Sequence, residues 1–493
     1  MTVYRVPLII RGRLVESSDA HFGGRRPDTS FGTSDVRRYL HEMALSTPSS
    51  LADLYQLSFA QILAYLAELG TRLDFNENTY LQEAFELSCK TSGLTEAILR
   101  NCYENIGGFF RESVLRDNVE RTIGVRYLEG WVSHRLDNGC LESIRAFGCR
   151  SVHIIAGNVP GVAALSIARN AVTRGDAIIK SPSNDPLTGA AIARTMIDLA
   201  PDHPITRHVT VAYWKGGDED VESVLYQPKN VEKIIAWGGL ASIKHIAKYI
   251  QPGIDLVTLD PKLSSTIIGR EAFATEAEMR EVAERLANDI GVLNQEACVN
   301  ARVVYVQTGT DAAGVDTANR FGALLFAALQ AMPPHVSGPA AAMAGELADE
   351  IESLKLTSED HKVIGGGIDG AVLVSQLGEP VEFARILTNR VANLVPFDSL
   401  HTPIRAVTAY TQTIGIFPES LKSEIRDRLI FHGAQRLVSL GYATQITSPT
   451  LQDGIEPLRR MCKWVTDESW NSEDTPMPSR TKPGPREPAM DRR

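Results

Sequence analysis

The chain has 493 residues, 43% hydrophobic and 22% charged, with a formal net charge of −10 at pH 7. These are the proportions of an ordinary soluble globular protein with room for about two or three domains. The acidic balance excludes nucleic acid as the main partner, because a dedicated binder carries a basic excess.

Six cysteines, Cys89, Cys102, Cys140, Cys149, Cys298 and Cys462, are scattered with no CxxC pair and no metal-ligand spacing. So few thiols in so long a chain do not form a disulfide scaffold, which points to a reducing cytoplasm and to no metal centre. Val6-Pro7-Leu8-Ile9-Ile10 is too short for a signal-peptide core. The apolar region 154–172 is interrupted by Asn158, Pro160, Arg169 and Asn170, so no membrane span is expected.

Residues 1–35 read as a short strand and a polar loop punctuated by Gly and Pro. From about 35 to 133 the pattern is helical. Ser58 with Gln61 three residues on predicts an N-cap, and Phe59, Ile62, Leu63, Leu66 and Leu69 form a stripe that Gly70 should stop. From about 148 strands (151–155, 177–179, 208–212, 231–237, 256–259) alternate with helices (161–173, 186–199, 218–226, 240–250). That alternation makes a parallel sheet covered on both faces, the usual dinucleotide-binding architecture, with ligands at the carboxyl ends of its strands.

An amphipathic helix is expected over 276–290, and a β-branched strand follows Asn294-Gln-Glu-Ala-Cys298. Helices at 311–332 and 340–356 and strands at 371–375, 391–396 and 411–416 predict a second α/β lobe. The divisions are a mainly helical region 1–135, a dinucleotide-binding domain 136–275 and a catalytic domain 276–430 carrying the cysteine. A C-terminal segment 431–468 packs back, and a Pro-, Arg-, Glu- and Ser-rich tail 469–493 is disordered.

Chemistry is expected in the residues that follow the strands. Asn158 precedes a helix whose first turn accepts Pro160 without losing a hydrogen bond. Its amide is either a cap for that helix or a donor to a developing oxyanion. Lys180, heading Lys180-Ser-Pro-Ser-Asn-Asp185, either meets the ribose or phosphate of an adenine dinucleotide or is a solvated strand end. Trp237-Gly238-Gly239 opens a helix where glycines let a pyrophosphate approach backbone amides, although a plain helix-start turn would use the same pair.

Cys298 lies on a helix-to-strand connection, where scaffolds commonly hold nucleophiles. An isolated cysteine is otherwise a small buried apolar residue. Gly365, Gly367 and Gly370 satisfy GxGxxG, yet a strand follows them, so they read as a flexible loop. His153, His245 and His401 have no ligand or dyad spacing and read as structural or surface residues. No GxSxG and no carboxylate pair at fixed interval suggests hydrolysis.

Taken in order, the Asn in a βα turn, the Lys segment, the Gly-Gly pair and Gln-x-x-Cys resemble the aldehyde dehydrogenase superfamily. The closer resemblance is to the luminescence-type fatty acyl-CoA reductases (the LuxC family). It rests on Ile155-Ala-Gly-Asn-Val-Pro160, Ile235-Ala-Trp-Gly-Gly239, Leu259-Asp-Pro-Lys-Leu-Ser264, Asn294-Gln-Glu-Ala-Cys298, Asp453-Gly-Ile-Glu-Pro-Leu458 and Lys463-Trp464-Val465. It covers most of residues 35–468. It implies an aldehyde dehydrogenase-like α/β fold, Cys298 as nucleophile and Asn158 as oxyanion donor. The cofactor-binding set is then Lys180, Ser183, Trp237, Gly238 and Gly239.

Two departures refine what the resemblance implies. Oxidising members carry a water-activating carboxylate in Glu-Leu-Gly-Gly-Lys; here 259–264 has no equivalent glutamate, with Asp260 the nearest remnant, which favours reduction. Ser183 stands where NAD-preferring members often have an acid, and it would not repel a 2′-phosphate. That favours NADPH, with Asp185 close by as the opposing feature.

The expected activity is NADPH-dependent reduction of a fatty acyl-CoA to the aldehyde through a Cys298 acyl-enzyme. The alternatives are an NAD(P)-dependent aldehyde dehydrogenase, a reductase of a carrier-bound or phosphorylated acyl group, and a catalytically silent scaffold. Implied partners are the acyl thioester, an acyl-transferring or acyl-activating enzyme, and further copies of this chain. An unperturbed thiol is only a few per cent ionised at neutral pH. Help is expected first from the helix start after Pro160, then from Arg302.

Overall fold

Apolar runs and stripes decide where the chain is buried. The computed structural model describes residues 4–23, 29–259, 262–356, 359–445 and 451–470. The N-terminal stretch holds five strands rather than one: β1 (Tyr4–Val6), β2 (Leu8–Ile10), β3 (Arg13–Val15), β4 (Ala20–Gly23) and β5 (Ser30–Thr33). Each is too short to show a period, and only burial distinguishes them. β1, β5 and β4 form a small sheet. β2 and β3 make a hairpin in which Arg11 and Gly12 supply the left-handed pair, φ 51° and 79°, that a two-residue turn requires.

The helical layer begins as the pattern indicates. Ser58 Oγ accepts the Gln61 N–H at 3.2 Å, and Gln61 Oε1 accepts the Ser58 N–H at 2.8 Å, a complete capping box. The helix Phe59–Arg72 then runs through Gly70 instead of stopping there. A Cβ on Gly70 would lie 2.9 Å from the Gly107 carbonyl, and one on Gly107 2.5 Å from that of Gly70. The glycine serves a close crossing of two backbones, not termination.

β6 (Val132–Arg135) and β7 (Leu141–Phe147) form an antiparallel pair ahead of the first large sheet. That sheet contains β8 (Arg150–Ile154), β9 (Asp176–Lys180), β10 (Val209–Ala212), β11 (Lys233–Trp237) and β12 (Asp255–Leu259). Its order is β12-β11-β8-β9-β10-β2-β3, with β8 to β12 mutually parallel and the N-terminal hairpin added antiparallel at one edge. Ala177 and Ile179 join the core beneath the helices Gly161–Val172 and Thr188–Leu199. Ile178 joins the opposite core with Val221, Leu225 and Ile246. The period of two therefore buries both faces.

The second large sheet takes β13 (Leu263–Ile268), β14 (Ala301–Val306), β15 (His361–Gly365), β16 (Ala371–Ser375), β17 (Val391–Pro396), β18 (Thr411–Phe417) and β19 (Arg436–Ser439). Its order is β15-β16-β17-β14-β13-β18-β19, and only β15 runs antiparallel. Gly366 to Gly370 close the β15–β16 hairpin, so the GxGxxG spacing serves a turn. Finally β20 (Lys463–Ser469) pairs with β7 along its length. Of the tail expected from 469, Ser469 closes β20, and residues 471–493, like Asp260, lie outside the described residues. Among the described residues no helix is long and apolar enough to cross a membrane.

A buried ionic cluster fastens the N-terminal hairpin to the first sheet. Asp176, 2% exposed, accepts from Arg11 Nη2 at 3.0 Å and is 2.8 Å from His208 Nδ1, while His208 Nε2 is 2.9 Å from Asp53. Burial alone would push the Asp176 carboxyl up, but the bonds to His208 and Arg11 outweigh it and hold it below its ordinary value. A depressed carboxyl contributes stability above its unfolded pKa of about 4 that is lost as the pH falls through the folded value. Asp176→Asn should cost about 3 kcal/mol in urea unfolding at neutral pH. The deficit should shrink below about pH 4; one that stays constant with pH would show that the charge is not what matters.

Candidate active site

Between the helix Glu276–Gly291 and β14 the chain makes the turn that carries Cys298. Leu293, Asn294 and Gln295 have φ of 56°, 50° and 67°, three successive non-glycine residues in the left-handed region. Each costs on the order of 1–3 kcal/mol unless its surroundings dictate it. Side-chain amides supply that constraint. Gln295 Nε2 donates to the carbonyls of Ala301 and Val391, both at 2.8 Å, and its Oε1 accepts the Val391 N–H at 2.9 Å. Asn294 Oδ1 accepts the Gly338 N–H at 2.9 Å. Asn300 Oδ1 accepts the Ala297 N–H at 2.9 Å, and Ser264 Oγ donates to the Cys298 carbonyl at 2.7 Å.

Asn158 approaches this turn from the end of β8. Its Nδ2 donates to the Glu296 carbonyl at 2.9 Å. The helix Gly161–Val172 has no side-chain cap, so the amide is turned toward the cysteine loop and not toward the helix it precedes. Asn184, from the segment after β9, braces this turn by donating to the Gly157 carbonyl at 2.8 Å.

Cys298 is half-buried. Burial first, then the charge of Asp453, pushes its thiol above the ordinary value, against a hydrogen bond from Gln412 and the charge of Arg302. Arg302 turns inward, its Nε donating to the Leu387 carbonyl at 2.8 Å. A cysteine on a rigid turn that a side-chain amide reaches is suited to forming and breaking an acyl bond.

The other expected residues gather at the carboxyl ends of β9 and β11. Lys180 is 8% exposed, its ammonium 5.9 Å and 5.5 Å from the ring centroids of Tyr213 and Trp214. Burial brings its pKa down to about 8, with Glu222 opposing. Glu222 itself meets His245 Nε2 at 2.5 Å and the Gly217 N–H at 3.1 Å. Ser183 is half-buried beyond Lys180.

The indole N–H of Trp237 and the hydroxyl of Ser181 are buried without partners among the described residues. A Cβ on Gly239 would meet open space, one on Gly238 only Ser242, and the helix Leu240–Ala247 has no side-chain cap. An uncapped helix start in open space, preceded by the orphaned indole N–H of Trp237, fits the anionic and hydroxyl-rich end of a dinucleotide.

The family model described as acyl-CoA reductase (LuxC) matches residues 54–464. The chain belongs to that family. Among LuxC relatives it is 30% identical to a long-chain acyl-protein thioester reductase of Photorhabdus laumondii, over 72% of this chain and 70% of the relative. It is 26% identical to the protein of the same name from Vibrio harveyi, over 94% and 93%. Solved structures establish the fold as that of the aldehyde dehydrogenases. Aldehyde dehydrogenase 21 of Physcomitrella patens superposes with TM-score 0.73 at 12% identity, covering 95% of this chain and 99% of that one. The NADP-dependent glyceraldehyde-3-phosphate dehydrogenase of Bacillus halodurans gives 0.71 at 12%, covering 94% and 99%.

Four residues around this candidate site carry no role that the sequence assigns. Ser264 and Asp453 lie inside motifs of the resemblance without a role of their own, Gln295 enters only as the fixed amide of Gln-x-x-Cys, and Gln412 gives no local signal. Gln295→Met should remove the amide donor to the Ala301 and Val391 carbonyls and leave the Val391 N–H only its 3.2 Å bond to the Thr388 carbonyl. The expected loss is about 3 kcal/mol in urea unfolding; an unchanged midpoint would mean that the turn is held by other contacts.

Proposed function

We propose that this protein reduces a long-chain acyl thioester to the aldehyde through an acyl-enzyme on Cys298, with NADPH as reductant. The observation that carries the reading is that the Asn158 amide bonds the Glu296 carbonyl on the same strained, amide-braced turn that bears Cys298. In the first stage Cys298 gives up its proton and its sulfur attacks the thioester carbonyl, expelling the carrier thiol with a proton. Asn158 Nδ2 has two hydrogens; one satisfies the Glu296 carbonyl and the other serves the oxyanion.

Lys180, Ser183, Trp237, Gly238 and Gly239 would hold the dinucleotide. Ser183 presents no carboxylate to a 2′-phosphate, and the carboxylate of Glu222 is engaged by His245 and Gly217. The bound nicotinamide supplies hydride to the acyl carbon. Collapse of the resulting thiohemiacetal anion releases the aldehyde and the Cys298 thiolate, which takes up one proton from solvent to replace the one that left with the carrier thiol. The 259–264 stretch offers no glutamate to activate water, which supports reduction over oxidation.

The acyl donor we infer is a protein thioester, because the relatives carry that substrate in their names. Acyl-CoA, expected from the sequence, is the second reading and is favoured by the family description. The test is NADPH oxidation and aldehyde release with an acyl-CoA series and with an acylated carrier protein. Cys298→Ala should abolish turnover with either donor. Asn158→Ala should stay folded and lose about 100- to 1,000-fold in kcat. Turnover that survives Cys298→Ala, or no aldehyde from either donor, would end this reading.

A further inference from the structure

Asn158 is held in place by a residue from the segment assigned to the dinucleotide. Asn184 is 8% exposed, and its Nδ2 donates to the Gly157 carbonyl at 2.8 Å. The two loops touch there: a Cβ on Gly157 would fall 2.1 Å from Asn184 Oδ1 and 2.6 Å from Pro182 Cγ. Glycine at 157 is what lets the amide come this close.

An asparagine in a loop commonly bonds its own backbone two residues on. Asn184 instead reaches back 27 residues, to the loop after β8. Its own loop is closed by other groups: the Asp185 N–H donates to the Pro182 carbonyl at 3.4 Å, and Thr188 Oγ1 donates to the Asp185 carboxylate. The carbonyl that Asn184 grips shares one rigid peptide plane with the Asn158 nitrogen. Holding that oxygen fixes the plane from which the Asn158 Cα, and with it the side-chain amide, departs.

The helical layer completes a ring around Asn158. Thr91, 1% exposed at the end of the helix Thr79–Thr91, donates from Oγ1 to the Asn184 carbonyl at 2.9 Å. Two residues on, a Cβ on Gly93 would lie 3.7 Å from Glu296 Oε1. Glu296 is the residue whose carbonyl accepts from Asn158 Nδ2 at 2.9 Å. One short stretch of the layer therefore meets both the residue that grips the Asn158 loop and the residue that Asn158 itself bonds.

We infer that Asn184 is a positioning residue for Asn158, holding the 155–160 loop so that the Asn158 amide meets the cysteine turn, with Thr91 fixing Asn184 in its turn. The inference rests on the acyl-enzyme reading, in which the Asn158 amide serves the oxyanion. It gives a residue of the cofactor segment a part in acylation, a step that consumes no dinucleotide. An Asn184 that only lined the dinucleotide would matter to NADPH binding and not to acylation.

The experiment is single-turnover acylation of Cys298 in the full chain with no dinucleotide present. Hexadecanoyl-CoA and a hexadecanoylated carrier protein are the donors, and the acyl group is followed at that cysteine by mass spectrometry. Asn184→Ala should slow acylation by about 10- to 100-fold. In an Asn158→Ala background the same change should slow it no further, because the residue it positions is gone. Thr91→Val removes the hydroxyl at similar volume and should slow acylation by less, and Thr91→Ser should restore the rate. Compared in the same two backgrounds, the Thr91 pair carries the test where Asn184→Ala does not fold.

Equal slowing in both backgrounds would show a general loss of structure. An unchanged rate with weaker NADPH binding would show a cofactor contact alone. Either result overturns the inference and, with a wild type that acylates, leaves the reductase reading standing. A wild type that leaves Cys298 unacylated by both donors ends that reading and this inference together.

Discussion

The run of left-handed residues from Leu293 to Gln295 is the constraint on which the rest of the site depends. The preceding helix packs so closely on its neighbour that a Cβ on Gly291 would fall 2.4 Å from Met332 Sδ. The chain must therefore reverse within a few residues to enter β14. It does so in a conformation disfavoured for every residue used. Gln295, Asn294 and Asn300 make the reversal possible by acting as substitute backbone, each pairing with main-chain groups of the turn or its neighbours. A turn held this way is rigid, and rigidity is what a reacting atom requires of its support.

The same choice governs the electrostatics. The backbone around Cys298 is met by neutral donors, Ser264 at its carbonyl and Asn158 at the Glu296 carbonyl. Neutral amides carry a smaller desolvation cost than buried cations and still lower the energy of a charge that forms between them. The charges of Arg302, Arg436 and Asp453 act on the sulfur from around it. The resting balance favours the thiol, so the ionised form belongs to the reaction and not to the ground state.

How much of this was legible depended on whether a residue's role is local. β8 to β12 and their helices could be read because strands buried on both faces show as apolar runs between helical stripes. β13 could not: its Ser264 and Thr266 are buried polar residues that break the pattern. β20 resembles an exposed polar segment, since its stability comes from pairing with β7, more than 300 residues away. Gly70 misled because the rule for helix ends describes the chain alone, whereas its partner Gly107 belongs to another turn. Cys298, Asn158 and the Gly238–Gly239 pair could be singled out as candidates because each follows or precedes a regular element at a characteristic place. Gln412 could not be, because nothing in its neighbourhood marks a strand residue that meets a carboxylate contributed by a distant turn, that of Asp453.

The helical layer shows where local reading and function part most clearly. Its sequence carries only core-forming stripes, yet it closes directly on the site. A Cβ on Gly161 would lie 2.6 Å from the Phe109 ring, so the first turn of the helix after Asn158 is a glycine because that ring rests upon it. Tyr103 of the same layer bonds Thr188 at 2.6 Å, and Thr188 bonds Asp185 in the segment that starts at Lys180. The loops after β8 and β9 are thus each backed by a side chain from the layer. Their positions, and with them the amide and the ammonium they carry, are set as much by residues 103–109 as by the sheet. Chemistry-bearing residues can be recognised one loop at a time, but what holds them in register is a layer whose own sequence is silent about it.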